Sequence, residues 1–135
     1  MDLRLKDASA GLSYLASVDL EQLSQKIDAR LIDGIKNGQA QKFEYTFELC
    51  WKCIKEFLKR TEGVDEASPK KIIKAFYLSD HVSEDDYLSL LAASDDRNRL
   101  SHVYDPMIFD EILSRLPQYA ALIERVTRTI EPKLP

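Results

Sequence analysis

Glycine and proline are scarce in this sequence, which has four glycines and five prolines among 135 residues. These two residues supply the special backbone angles of tight turns, so their shortage argues against an all-β fold and favours helices. No apolar run reaches the roughly 18 residues that a membrane-spanning helix needs. The N-terminal stretch Met1–Asp7 alternates charge and lacks the apolar centre of a signal peptide. We therefore expect a cytoplasmic protein that does not bind a membrane.

Excess positive charge is also absent, since the formal net charge is −4. General attraction to nucleic acid is therefore not expected, and any contact with RNA must come from a local basic cluster. The candidate cluster consists of Lys52, Lys55, Lys59, Arg60, Lys70, Lys71 and Lys74. Charge on the outer face of a helix is usually just solvated surface, and the nearby Glu48, Glu56 and Glu62 dilute the positive charge of this cluster.

Cysteine is scarce as well, and its two copies form a single C-x-x-C pair, Cys50 and Cys53. A zinc site needs about four ligands, and no second cysteine pair exists. A thioredoxin-like motif belongs beside a β-α-β unit, which the sequence lacks. Cys50 falls on the apolar stripe of its helix, where free cysteine behaves as a small hydrophobic residue. We interpret the pair as core packing and expect neither a metal nor a cofactor.

Apolar residues at spacings of three and four predict amphipathic helices along the chain. The length suits one domain, taken as residues 1–135 with a frayed tail at 131–135. The first helix covers residues 3–16, and a second apolar stripe runs from 20 to 35. The third and strongest stretch predicts a helix from about 39 to 61 that ends near Gly63.

Capping signals predict where the later helices begin. Ser68-Pro69 and Asp105-Pro106 each combine an N-cap residue with a first-turn proline. Ser83 precedes three acidic residues, which suit the positive end of a helix dipole. Pro117 should kink or split the last helix near Leu116. The sequence thus predicts an all-α antiparallel bundle of five or six helices.

The sequence does contain an ordered set of functional side chains where a helix should end. Arg97, His102 and Tyr104 follow the pattern Arg-x4-His-x-Tyr within Asp95–Asp105. A histidine here can titrate near neutral pH, and an arginine can hold a phosphate through two donors. In the structural alternative, His102 interacts with the helix dipole, Arg97 pairs with the aspartates before it and Tyr104 is half-buried. Spacing alone leaves both readings open. The other histidine, His81, is expected to be an ordinary surface residue.

Helical geometry bears on whether Arg97 and His102 can act together. Five residues on an ideal helix turn through about 140°, so they share a site only if Arg97 reaches round or the helix distorts before His102. Both helix stripes that carry them are partly apolar. We therefore expect the segment to face a packed surface, which a second copy of the chain could supply.

Residues Gln41–Lys52 read QKFEYTFELCWK, which resembles the Q-[RK]-F-E-[FY]-T-F-E-L-x-W-K signature of HepT-type proteins. These belong to the HEPN superfamily and were formerly described as nucleotidyltransferase substrate-binding proteins. Ser68–Lys71, Asp96–Asn98 and Ser101–Asp105 fall in the family's order, so the resemblance covers roughly residues 5 to 128. It implies an all-α, antiparallel, up-and-down four-helix bundle with one or two extra short helices, paired into a homodimer.

The resemblance also implies roles for the motif residues. Proteins of this family are paired with a separate minimal nucleotidyltransferase. In such pairs the HEPN protein is held to be a toxin and a metal-independent ribonuclease, and the nucleotidyltransferase is its antitoxin. Arg97 and His102 would then be catalytic, and Tyr104 would match the tyrosine that the antitoxin adenylylates in some pairs. The supporting residues in the matching segments would be Asp96, Asn98 and Ser101.

A dimer would supply what metal-free RNA cleavage needs: a base, an acid and a cation for the phosphorane. It would bring two copies of His102 and two of Arg97 into one cleft. AMP on Tyr104 would add bulk and negative charge there and block the substrate. Two other functions stay open: a non-catalytic subunit that docks a nucleotidyltransferase and presents Tyr104, and a helical dimer whose motif is structural.

Overall fold

The structure, a computed structural model, describes residues 3–131, which form seven helices and no strand. Within this range, no helix is both long enough and apolar enough to cross a membrane. In chain order the helices are α1 (Leu3–Ala16), α2 (Leu20–Ser24), α3 (Ala29–Glu62), α4 (Pro69–Leu78), α5 (Glu84–Leu100), α6 (Pro106–Ser114) and α7 (Leu116–Ile130).

Helices α1 and α3 run antiparallel, as two bonds between them show. Thr46 Oγ1 donates to the backbone oxygen of Ala8 at 3.4 Å, and Gln39 Nε2 donates to that of Leu15 at 2.8 Å. The later residue of α3 thus meets the earlier residue of α1.

Helix α7 is antiparallel to α1. Ser13 Oγ donates to Glu124 Oε1 at 2.5 Å, and Lys6 forms an ion pair with Glu131 just beyond the end of α7. Glu131 begins the tail that was expected to be frayed, and the rest of that tail, residues 132–135, lies outside the described residues.

Helix α5 completes the alternation because it runs antiparallel to α7. Asp86, near the start of α5, holds Arg125 at 3.0 and 3.2 Å, whereas Asp96, near its end, accepts the Tyr119 hydroxyl at 2.6 Å. The four long helices therefore alternate in direction along the chain. The prediction of an up-and-down four-helix bundle is confirmed, with three short helices added to it in the described range instead of one or two.

The core lies between these helices, and both cysteines are part of it. Phe43, Phe47, Phe57 and Phe76 are among its largest fully buried side chains. Cys50 is fully buried and Cys53 nearly so, and the two thiols are not joined in a disulfide. Burial is the main cause that raises the pKa of the Cys50 thiol, and the nearby Cys53 thiol is the second cause. Cys50 therefore stays neutral and serves as a packing group. The interpretation of the pair as core is confirmed.

The predicted boundary between the second and third helical stretches was wrong. Helix α3 begins at Ala29 and continues for 34 residues through Gly34 and Gly38. It starts there because the Asp28 carboxylate accepts the backbone amide of Arg30 at 2.7 Å. Nothing lies within 4 Å of a Cβ added at either glycine, so both lie on an open helix surface.

The other boundary signals predicted the helix starts correctly. The Ser83 side chain accepts the backbone amide three residues on at 3.1 Å, and the Asp105 carboxylate accepts the one two residues on at 2.9 Å. Ser68 precedes Pro69 at the start of α4, although its side chain makes no capping bond. Pro117 lies in the first turn of α7, directly after the predicted break.

The expectation that His81 is an ordinary surface residue was wrong. Its side chain is only 11% exposed, and Nε2 lies 2.9 Å from Glu62 Oε1. The ring stacks on Phe76 and meets Phe57 edge to face. The short connection between α4 and α5 lays this residue over the core, which its isolated place in the sequence did not indicate.

Candidate functional site

The candidate site forms where α5 ends and α6 begins. The last turn of α5 closes with a bond from the His102 backbone amide to the Arg99 oxygen at 2.9 Å. Proline disfavours helical angles in the residue before it, so Asp105 breaks away from α5 and caps α6 instead. The segment between the helices therefore turns sharply and holds its side chains at the edge of the bundle.

An open pocket of about 560 Å³ lies at this turn. Its size is within the range of small-molecule sites. His102 and Tyr104 line it together, as the sequence predicted, and Asn98 of α5 joins them. The full set of lining residues is Asp95, Asn98, Arg99, His102, Val103, Tyr104, Asp105 and Ile108.

Tyr104 is 93% exposed, so the structural alternative, in which this tyrosine is half-buried, was wrong on this point. Met107 and Ile108, in the first turn of α6, are exposed apolar neighbours. Clustered apolar side chains that are left in water commonly mark a binding surface.

Arg97 lies elsewhere. Its guanidinium contacts α3, where Nη2 is 3.5 Å from Glu48 Oε2. Nε is buried without a hydrogen-bond partner, and Arg97 is not among the pocket-lining residues. The rotation along α5 thus separates Arg97 from His102, as helical geometry indicated. The alternative pairing of Arg97 with Asp95 or Asp96 was wrong.

Asp96 points into the bundle and is only 3% exposed. Its carboxylate accepts two bonds from Arg115, at 2.8 and 3.1 Å, and one from the Tyr119 hydroxyl at 2.6 Å. A buried carboxylate needs such partners to offset the loss of water. Burial is the main cause that raises the pKa of the Tyr119 hydroxyl, and its hydrogen bond to Asp96 is the second cause. The hydrogen bonds that Arg115 donates to Asp96 raise the pKa of Arg115.

Asp96 thereby ties the end of α5 to Arg115, the residue between α6 and α7. The pocket wall and the helix that follows it are joined behind the site. Ser101, the remaining predicted supporting residue, is exposed in the turn after α5, where its backbone amide donates to the Asn98 oxygen at 3.3 Å.

Sequence reasoning missed Arg99, which lines the pocket beside His102. Residues three and four apart on a helix are neighbours, so Asn98 and Arg99 are the α5 residues placed to share a face with His102. That spacing was the available signal. The Arg99 guanidinium lies 3.5 Å from Asp96 Oδ1, and its side chain is 58% exposed.

Among the other charged candidates, Lys52, Arg60 and Lys70 form ion pairs. Lys52 contacts Glu48 at 3.8 Å, and Arg60 contacts Glu56 at 2.8 Å. Within residues 3–131, no group of three or more histidine, cysteine, aspartate or glutamate side chains is arranged to hold a metal ion.

Comparison with known proteins agrees with the helical fold. The crystal structure of ttk003001694 from Thermus thermophilus is similar, with a TM-score of 0.81 and 29% sequence identity. The match covers 93% of this chain and 98% of that one. No curated protein matches the chain.

The family model described as "Nucleotidyltransferase substrate binding protein like" matches residues 11–131. The match includes both the aromatic stretch of α3 and the segment at the end of α5 that forms the pocket. This chain belongs to the family of nucleotidyltransferase substrate binding protein like proteins.

Proposed function

We propose that this chain is the substrate-binding subunit of a two-component nucleotidyltransferase. It docks a separate minimal nucleotidyltransferase and presents Tyr104 as the group that receives the nucleotide. The exposure of Tyr104 carries this proposal, because its side chain is 93% exposed at the pocket that His102 also lines. A hydroxyl that a second enzyme must reach has to be accessible, whereas a tyrosine with a packing role would be covered.

The reaction would be adenylylation with ATP as the donor. The Tyr104 oxygen forms a bond to the α-phosphorus, and the bond from that phosphorus to the oxygen bridging it to the β-phosphorus breaks. Pyrophosphate leaves, and the phenolic proton passes to a base on the nucleotidyltransferase. The partner supplies the catalytic groups, so this chain contributes the acceptor and its surroundings.

The apolar side chains around Tyr104 support a role in assembly. Met107 and Ile108 are exposed on α6, directly after the pocket turn. We propose that a second copy of the chain covers Met107 on α6 and that Tyr104 and the pocket wall at Ile108 remain accessible at the edge. A homodimer of this kind would place two acceptor tyrosines in one complex.

Co-expression with a minimal nucleotidyltransferase encoded beside this chain tests the proposal. We expect a stable complex and, after incubation with ATP and Mg²⁺, a mass increase of one AMP unit per chain. Tyr104→Phe should abolish that increase while the complex persists, because the substitution removes only the hydroxyl.

A matched control is Tyr14→Phe, since Tyr14 is another strongly exposed tyrosine, and it should leave the mass increase unchanged. Failure to form a complex, or AMP addition that survives Tyr104→Phe, would overturn the proposal.

A second candidate function is metal-independent RNA cleavage by the dimer. The observation that favours it is His102, which lies at an open pocket where it can exchange protons with a substrate. Arg97 of the same chain does not line that pocket, so the site would need groups from two protomers. In this form the chain would be the toxin of a toxin–antitoxin pair, and AMP on Tyr104 would neutralise it.

This second function is tested with RNA and EDTA. The purified protein should cleave and the His102→Ala variant should not. Equal and negligible cleavage by both proteins would rule out the ribonuclease function and leave the proposal of a binding subunit.

A further inference from the structure

We propose that Arg99, and not Arg97, is the residue that contacts the phosphate of a nucleotide in the pocket beside Tyr104. The buried Asp96 acts as the positioning residue that holds Arg99 at the pocket wall. This inference rests on the proposed function, because it describes how the acceptor site receives the nucleotide that is transferred.

The first argument is placement. Arg99 lines the same pocket as His102 and Tyr104, whereas the Arg97 guanidinium is directed to Glu48 on α3. A group attached to the Tyr104 oxygen has its phosphorus one bond away, so a cation that shares the pocket with Tyr104 is the candidate to meet it. Among the pocket-lining residues, Arg99 supplies the permanent positive charge.

The second argument is the free bonding capacity of the pocket. Its two carboxylates are engaged: Asp95 Oδ1 contacts Lys70 Nζ at 2.7 Å, and Asp105 caps α6. Arg99 makes one ion-pair contact, at 3.5 Å, and a guanidinium has five donors. The positive group therefore has donors to spare, and the acidic groups are partly neutralised.

The third argument is how Arg99 is held. Asp96 is fixed by Arg115 and Tyr119, at 2.6 to 3.1 Å, so the Oδ1 atom that the Arg99 guanidinium meets at 3.5 Å is held in place. An arginine tethered in this way loses less conformational freedom when it binds an anion. The anchor lies behind the wall and does not itself touch the pocket.

The remaining residues of the pocket wall indicate which class of phosphate-containing ligand fits. Val103 and Ile108 give the pocket apolar surface, and the Tyr104 ring can stack on a base. A volume of about 560 Å³ suits a ligand of mononucleotide size. The ligand class is thus a nucleoside monophosphate, with the phosphate at Arg99 and the base toward the apolar side.

The experiment is an NMR titration of the full chain with AMP, following the imidazole signals. The sequence has two histidines, so His102 in the pocket and His81 over the core give one reporter and one internal control. AMP should shift the His102 signal saturably and leave the His81 signal in place. Adenosine should bind at least about tenfold more weakly, because a charge-assisted contact is lost.

The decisive comparison is between the two arginines. Arg99→Ala should weaken AMP binding at least about tenfold and should leave the weak binding of adenosine unchanged. Arg97→Ala should change AMP affinity less than about twofold, as should Arg60→Ala, an exposed arginine on α3. Arg99→Lys should recover part of the affinity, since it keeps the charge and loses the planar fork.

Three results would overturn the proposal: no His102 shift with AMP, loss of binding in Arg97→Ala with retention in Arg99→Ala, or a response to a short oligoribonucleotide but not to AMP. Asp96→Asn provides the positioning test. It should lower AMP affinity in a folded protein while adenosine binding stays the same, whereas a purely structural role would affect both.

This result is separable from the proposed function. AMP binding is measured without the nucleotidyltransferase. A failure to modify Tyr104 in the co-expression experiment and a failure to bind AMP in the titration are therefore independent results. Conversely, Tyr104 adenylylation that continues at the normal rate in Arg99→Ala would contradict the role of Arg99 and leave the docking subunit intact.

Discussion

At the scale of single residues, Asp96 is the side chain on which the site most depends. It is a buried carboxylate with one arginine and one tyrosine bonded to it and a second arginine nearby. Asp96→Ala should lower the free energy of unfolding by about 2–4 kcal/mol. This is below the roughly 3–5 kcal/mol of a fully buried pair because Arg115 keeps contact with water. Urea denaturation followed by circular dichroism measures the change.

The matched control is the adjacent residue. Asp95→Ala removes an exposed partner of Lys70 and should change stability by less than about 1 kcal/mol. If the two variants unfolded at the same urea concentration, Asp96 would not anchor the end of α5.

Tyr119 predicts how stability responds to alkaline pH. Burial first and the Asp96 contact second raise its pKa above the ordinary value of 10.0, so the folded protein keeps a proton that the unfolded chain releases. Stability should therefore be intact below about pH 10 and fall as the pH rises above it, by at most about 1.4 kcal/mol per pH unit from this group. Tyr119→Phe should make that fall shallower, and an unchanged slope would contradict the assignment.

The residue scale also shows where sequence reasoning stopped. The motif spacing identified His102 and Tyr104 correctly as pocket neighbours, since both follow the end of one helix. It could not show that Arg97 turns toward Glu48 or that Asp96 faces Tyr119, because those partners lie 49 and 23 positions away. Such pairings depend on how helices pack and not on spacing within one helix.

At the scale of helices, the two ends of α3 can be tested with two glycines. Gly63 ends the helix with a φ of +67°, so Gly63→Ala should destabilise the protein by about 1–2 kcal/mol. Gly34→Ala should instead stabilise it by up to about 1 kcal/mol, since Gly34 is inside the helix in open space. Thermal denaturation of the two variants should give shifts of opposite sign, and a shared sign would contradict the helix boundaries.

The same helix shows which boundaries a sequence reveals. Caps at Ser83 and Asp105 were predictable because the capping side chain and its amide are only two or three residues apart. The start of α3 was missed because the apolar stripe from 20 to 35 suggested a separate helix, while Asp28 had no proline or acidic run beside it. A long helix with little burial in its first turns is held by the part packed on α1 and α7.

At the scale of the whole molecule, the bundle leaves apolar side chains exposed at both ends of α5. Met107 lies next to the pocket turn at the C-terminal end of α5, and Leu78 lies at the other end, just before the loop that leads into α5. The amphipathic pattern predicted an all-α bundle, but it could not show which apolar residues the finished bundle would leave in water. That depends on the final neighbours of each helix.

The exposed apolar side chains at the start of α6 lead to a prediction about the homodimer. If a second copy covers α6, Met107→Glu places a charge in the interface and should convert dimers to monomers, because an unpaired buried charge costs several kcal/mol. Leu78→Glu is the matched control, since the two native side chains are 73% and 67% exposed, and it should leave the assembly unchanged. Sedimentation velocity at several protein concentrations measures the outcome. A wild-type chain that stays monomeric, or a dimer that dissociates with Leu78→Glu but not with Met107→Glu, would show that this side of α6 is not the surface where two copies meet.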